Sequence, residues 1–267
     1  MQLATQNFKK FSALIAVCSV GLAVQAQLID PLTGGLSGYT TTLVLDNSSG
    51  AGQGVSFASS GSGLHAGYVG TGTSAEQALF LAPLSYFSTA FAVGDRLTVN
   101  VSIPVSSTAM DFGLAVSSTA TPTAAGSGNT YNSRTTFDWA SISVRPSQTA
   151  IRGGSSISGT LNTGYNTGAA ANTVSQLYIN WVSTDVFTLG YVDTSLVSHD
   201  LYTATFAGSS SIGTAIGFYS DLRATGTSLG NFTDLTVAPI PEPSTLAICG
   251  LGFAGLLAFK RLKKQAV

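Results

Sequence analysis

Between residues 27 and 240 the side chains able to do acid, base or nucleophilic work are few and widely spaced. Cleaving a glycosidic bond takes two carboxylates flanking it. This stretch has a single glutamate, Glu76, and no pair of aspartates that spacing sets together. Gly226-Thr227-Ser228-Leu229-Gly230 has the outline of a nucleophile elbow, but that device needs a helix after the serine, and the residues that follow read as a strand. Gly61-Ser62-Gly63-Leu64-His65-Ala66 and Gly70-Thr71-Gly72-Thr73-Ser74-Ala75 imitate a dinucleotide fingerprint without the βαβ unit it requires, and both read as turns. His65 and His199 are the two histidines, while Cys18 and Cys249 fall outside the stretch, so no thiolate completes a zinc site. No catalytic residue, metal ligand or cofactor is assigned on these grounds.

Two weaker chemistries stay open. Calcium takes loop carboxylates and carbonyls, and Asp185, Asp193, Asp200 and Asp221 read as lying near strand ends. Aromatic faces hold sugar rings, and the candidates are Trp139, Trp181, Tyr131 and Tyr165. Trp181 shares parity with Leu177 and Ile179, and Trp139 with Phe137, which assigns both to an apolar face of a strand. Tyr131 and Tyr165 read as loop residues, and with Asp193 they are the candidate glycan or calcium contacts.

The elements that must position these residues are strands. Thr, Val, Ser, Gly, Tyr and Phe dominate and good helix formers are scarce. Arg96-Leu97-Thr98-Val99-Asn100-Val101-Ser102-Ile103 alternates throughout, which puts one face in a core and one in water. The same period predicts strands at Tyr39–Asp46, Tyr86–Val93, Leu177–Val182, Val186–Val192, Leu201–Phe206, Ile212–Tyr219 and Phe232–Val237. Phe137 and Trp139 fall at odd positions and Ile142 and Val144 at even ones, so a bulge is expected near Ala140-Ser141. Asn47–Gly54, Ser59–Gly63, Gly153–Ser156, Asn162–Asn172 and Ala207–Ser211 read as turns or loops, and Ser117–Ser133 as a long surface loop. Ten to fourteen short strands predict one all-β domain over residues 27–240, a two-sheet antiparallel β-sandwich.

That body carries Arg96, Arg134, Arg145, Arg152 and Arg223 against eleven acids, a formal charge of −6, and no lysine. Such a surface argues against nucleic acid or anionic membrane as partner. Without cysteine in the body, its stability must come from packing and strand pairing.

The flanks differ in kind. Lys9 and Lys10 precede the apolar run Phe11–Val24, and Val24-Gln25-Ala26 before Gln27 places small residues at a cleavage site, so residues 1–26 read as a secretory signal peptide cut between Ala26 and Gln27 by signal peptidase. At the other end Pro241-Glu242-Pro243 precedes an uncharged run, Leu246–Phe259, followed by Lys260, Arg261, Lys263 and Lys264. Fourteen helical residues reach roughly 21 Å, short of the ~30 Å hydrocarbon layer. The run therefore reads as a short or temporary transmembrane helix with its basic tail in the cytoplasm and the body outside.

Residues 241–267 resemble the PEP-CTERM sorting signal of bacterial surface proteins, in which a Pro-Glu-Pro motif, a short helix rich in Gly, Ala and Leu, and a basic tail occur in that order. The resemblance implies processing near the motif by an exosortase, transient residence in the inner membrane, and delivery to the cell surface or beyond in a bacterium that makes exopolysaccharide. Within the body, Ile216-Gly217-Phe218-Tyr219-Ser220-Asp221, a glycine-bearing loop and Asn231–Val237 are similar to the last two strands of concanavalin A-like or laminin G-like jelly rolls. Val174–Val182 and Val186–Val192 fit as a pair before them, and an immunoglobulin-like sandwich stays open. The function expected is a structural or interaction role at the surface, in exopolysaccharide or biofilm, without enzymatic activity. The alternative is a lectin-like carbohydrate-binding module, with an extracellular polysaccharide as candidate partner.

Overall fold

The computed structural model describes residues 25–46, 54–59, 61–69, 76–104, 110–120, 137–146, 150–158, 160–206, 215–222 and 230–241. Among these described residues fifteen strands, one more than the upper end of the range the sequence suggests, form two antiparallel sheets of a jelly-roll-type sandwich. The eight-stranded sheet has the order β13 (Ser198–Thr205), β12 (Val186–Asp193), β11 (Val174–Ser183), β6 (Asp95–Ser102), β15 (Gly230–Pro239), β4 (Leu64–Val69) and β3 (Gly54–Ser59), with β1 (Gln27–Asp30) also paired to β15. The seven-stranded sheet has the order β10 (Thr160–Thr167), β9 (Ala150–Ile157), β8 (Trp139–Arg145), β7 (Met110–Ser117), β14 (Ala215–Leu222), β5 (Glu76–Pro83) and β2 (Thr40–Asp46).

Strand β6 sets the plan. Its Leu97, Val99 and Val101 are buried between the sheets while Arg96, Thr98 and Asn100 face outward, as a period of two dictates. Opposite it, Phe80, Phe112 and Phe218 of the other sheet meet Phe57 and Phe232 at ring-centroid distances of 4.9–5.9 Å. Edge-to-face and tilted rings of this kind fill the middle of the sandwich, where each buried aromatic contributes roughly 1.5–3 kcal/mol of transfer free energy. Along β15 the inward residues change parity, from Phe232 to Leu235 and Val237. The register shift between Thr233 and Thr236, with Asp234 in the left-handed region at φ 53°, makes that change possible.

Several expectations are corrected. Tyr86–Val93 is not a strand, because Pro83 ends β5 and Leu84–Tyr86 forms a 3-10 turn, after which Phe87 and Phe91 drop into the core as the chain crosses between sheets. Gly153–Ser156 is not a turn and lies inside β9, and residues 162–167 of the expected loop belong to edge strand β10. No register shift interrupts β8, which pairs residue by residue with β7 and β9. All seven of its residues are buried, Ile142 and Val144 toward the sandwich core and Trp139, Ser141, Ser143 and Arg145 on the other face. The seven-stranded sheet is covered on both faces there, so the small Gly and Ser residues are packing choices rather than turn formers. Gly113 on β7, for example, leaves no room for a side chain, since a Cβ there would collide with the Ile142 carbonyl of β8.

The two signal segments expected from sequence, and the short transmembrane helix, lie outside the described residues. Among the described residues no helix is long and apolar enough to cross a membrane.

Candidate functional site

Three surfaces bring polar side chains together, and the first is the second face of the seven-stranded sheet. Tyr219 of β14 and Trp139 of β8 stack across it, ring centroids 5.6 Å apart and planes 24° apart, over the small residues Ala115 and Ser141. Leu79, Leu81, Phe137 and Ala215 complete this satellite cluster. Beyond it, Arg145 forks Asp111, with Nε donating to Oδ1 at 2.6 Å and a terminal nitrogen to Oδ2 at 2.7 Å. Asp221 stands directly across the strand pair from Asp111. Asp111, Arg145 and Asp221 are each no more than 5% exposed. Burial, followed by the like charge of Asp221, pushes the Asp111 carboxyl up to about 6 against the pull of Arg145. With both oxygens of Asp111 held by one guanidinium, the cluster is arranged as a buried electrostatic clamp between strands.

The second surface is the outer face of β6, β11, β12 and β13. The Arg96 guanidinium lies over the Tyr178 ring at 3.8 Å while its Nε donates to Asn180 at 2.8 Å. The Tyr178 hydroxyl donates to Asp200 at 2.6 Å, and burial together with that carboxylate holds its pKa above the ordinary phenol value. Gln176 donates to Asn100 and Asn100 to Asp234, and Thr188 and Thr203 share a bond at 3.1 Å. Gly190 is required under this ladder, since a Cβ there would meet the Tyr178 hydroxyl and the His199 carbonyl. The face is a network whose polar groups are largely spent on one another.

The third is an open groove of about 590 Å³ at one end of the sandwich, where β15 begins and β6 ends. His65, Ser102, Asn172, Ser175, Thr194 and Asn231 supply its polar lining. His65 Nδ1 and Asn231 Oδ1 lie 2.8 Å apart, and the Ser175 hydroxyl donates to the Val192 and Asp193 carbonyls. None of the lining side chains is a carboxylate or a guanidinium, which suits an uncharged, hydroxyl-bearing ligand.

The residues proposed from sequence do not converge. Tyr131 lies outside the described residues, and Tyr165 sits on β10 opposite Gly153 rather than in a loop. Asp193 ends β12 and organises the turn to β13: its Oδ1 accepts the Ser195 and Val197 N–H groups and its Oδ2 meets His199 at 2.8 Å. That bond to His199, with the Val197 N–H behind it, holds the carboxyl below its usual range. Asp185 lies in the turn at the opposite end of β12, Asp200 is engaged by Tyr178, and Asp221 is the penultimate residue of β14 in the other sheet, so the four calcium candidates are dispersed. Among the described residues no three His, Cys, Asp or Glu side chains form a metal-sized group. Sequence reasoning passed over Asp111, Arg145 and the groove. A charged residue inside an otherwise small or apolar strand was the available signal for the first two.

No curated protein matches the chain in sequence. Among solved structures it is similar to a Bacillus subtilis protein of unknown function with a galectin-like fold, at 12% identity over 80% of this chain and 96% of that one, TM-score 0.49. It is also similar to the carbohydrate-binding module CBM66 from Bacillus subtilis, at 11% identity over 78% and 99%, TM-score 0.42, and to LamAcat from Zobellia galactanivorans, at 11% over 80% and 90%, TM-score 0.38. Residues 239–262, which begin on the last residue of β15, match the PEP-CTERM protein-sorting motif, and by that motif the chain is an exported protein sorted by an exosortase.

Proposed function

We propose that the sandwich works outside the cell as a non-catalytic structural or interaction domain, in the exopolysaccharide or biofilm around the bacterium. The observation that carries this is the outer ladder of Arg96, Asn100, Gln176, Tyr178, Asn180 and Asp200, whose donors and acceptors are largely engaged within the sheet. Such a face is rigid and offers few free groups for chemistry. The buried clamp of Asp111 and Arg145 supports the same reading, because a carboxylate tied at both oxygens is a poor acid or nucleophile. Signal peptidase acts at the start of the chain and exosortase near Pro241-Glu242-Pro243, so exported protein should begin at Gln27 and lack Lys260–Lys264. Intact-mass analysis of surface and medium fractions tests this, and extracellular protein that keeps its basic residues would replace sorting with a plain anchor.

A second reading, a lectin-like module, is favoured by the groove at His65 and Asn231, whose lining has neither a carboxylate nor a guanidinium. A glycan array probed with residues 27–240 separates the two, since a lectin retains a defined oligosaccharide that His65→Ala and Asn231→Ala release. Calcium is not needed in either case, and adding it should leave the Tm unchanged.

A further inference from the structure

Both flanking segments leave the sandwich from one rim. Gln27 lies opposite Val237 in the pairing of β1 with β15, and the last residues of β15 run out beside the start of β6, where the Ile240 N–H donates to the Gly94 carbonyl at 2.8 Å. From Ile240 to Leu246 is six residues, a reach of at most ~22 Å, and from Gln27 back to Val24 is three, at most ~11 Å. The body therefore cannot leave the lipid surface while either apolar run is embedded.

The same rim carries exposed apolar side chains. Among the described residues the large exposed hydrophobics are Leu28, Tyr86, Val93, Val182, Leu196 and Val197. Val93 and Val182 flank the bond from the Gly94 N–H to the Trp181 carbonyl, on the rim from which Ile240 departs. Tyr86 lies on the crossing from β5 to β6 at that end, and Leu28 on β1 next to the signal segment. Tyr86 is held in place, its ring covering Gly38, where a Cβ would collide with it, and meeting Tyr39 and Phe87 edge-on at 5.6 and 5.2 Å. An aromatic fixed with half its surface in solvent suits a membrane interface. Leu196 and Val197 sit in the turn at the other end, ~30 Å away along a ten-residue strand.

We infer that the rim bearing Tyr86, Val93 and Val182 is a lipid-docking surface that lies against the outer leaflet until the tail is cut. The inference rests on the sorting reading for its tether. Asp95 and Asp185 flank this rim, so the lipid it suits is zwitterionic and the contact is insensitive to salt. In this pose the His65 and Asn231 groove points away from the membrane, so a ligand is within reach before release.

The test uses the full-length chain, made without processing enzymes, carrying C18A and C249A, and reconstituted into phosphatidylcholine vesicles. Single cysteines at Val93, Val182 or Leu196 carry an environment-sensitive fluorophore, and a spin-labelled lipid quenches it from the interface. Quenching at positions 93 and 182 should exceed that at 196 at least threefold, at low and at high salt. Equal quenching at all three positions, or none, in chains that float with the vesicles overturns the docking and leaves the sorting reading intact. Chains that do not float overturn both.

Discussion

Arg145 is the residue on which the second face of the seven-stranded sheet depends, because its guanidinium holds both oxygens of Asp111 beside Asp221 in a buried site, with the charge of Arg152 adding a smaller pull. Removing one partner of such a pair leaves a buried charge, and the cost is about 3–5 kcal/mol, far above that of a surface pair. Arg145→Met is expected to fall in that range by urea denaturation, with Arg96→Met on the outer face costing less. The pair also gives the fold a pH dependence. An acid whose pKa rises on folding holds its proton more tightly in the folded chain. Asp111 therefore contributes its full share below its ordinary pKa of 3.8 and loses it as pH climbs through about 6. Asp221→Asn takes away the like charge and brings that pKa down. The loss of stability between about pH 4 and about pH 7.5 should then be smaller in the variant than in the parent, and an unchanged difference would assign the effect to burial alone.

At the scale of elements, glycine positions separate packing from turns. Gly190 on β12 gives Tyr178 the space to lie flat and reach Asp200 on β13, so Gly190→Ala should cost about 1–3 kcal/mol as an overpacked contact. Gly168, with nothing within 4 Å of a Cβ, is the control expected to change stability little. Thermal unfolding of the two variants decides whether the ladder is as tight as its distances imply. The same elements show what was legible from sequence. The strands β6, β11 and β12 alternate because one face is core and the other water, and their expected ranges agree with the structure to within about three residues. Strands β8 and β9 defeat the rule, since Trp139-Ala140-Ser141-Ile142-Ser143-Val144-Arg145 is buried on both sides. There the small residues that packing demands look like turn formers, and the parity break that suggested a bulge reports a second covered face instead. In β15 a bulge does exist, at Asp234, and only the change of parity from Phe232 to Leu235 announced it. The groove was beyond reach for another reason: His65 and Asn231 meet across 166 positions of sequence, and no local pattern encodes such a meeting.

At the scale of the whole molecule, the arrangement of groove, ladder and termini sets how strongly the protein can hold a sugar. The groove is open rather than enclosed, His65 and Asn231 already bond each other while Ser175 bonds nearby carbonyls, and the aromatic platforms that stiffen many sugar sites are elsewhere. Trp139 is inside the second-face cluster and Trp181 packs at 5.4 Å against both Phe91 and Phe187. A ligand must therefore exchange existing hydrogen bonds for new ones of similar worth, with little apolar area removed from water. We expect the isolated domain to bind oligosaccharides more weakly than ~0.1 mM, a free energy less favourable than about −5.5 kcal/mol. Many copies held together on one surface would raise the effective affinity by linkage alone, without any new contact. Titration calorimetry of residues 27–240 with polysaccharide fragments, with and without calcium, should give heats too small to fit below that limit, and vesicles carrying the full-length chain should retain the same polysaccharide that the free domain releases. A micromolar, calcium-dependent isotherm lost in Asp193→Ala or Tyr165→Ala would instead place a conventional lectin site at the turn after β12 or on the edge strand β10, and the scaffold reading would give way to it.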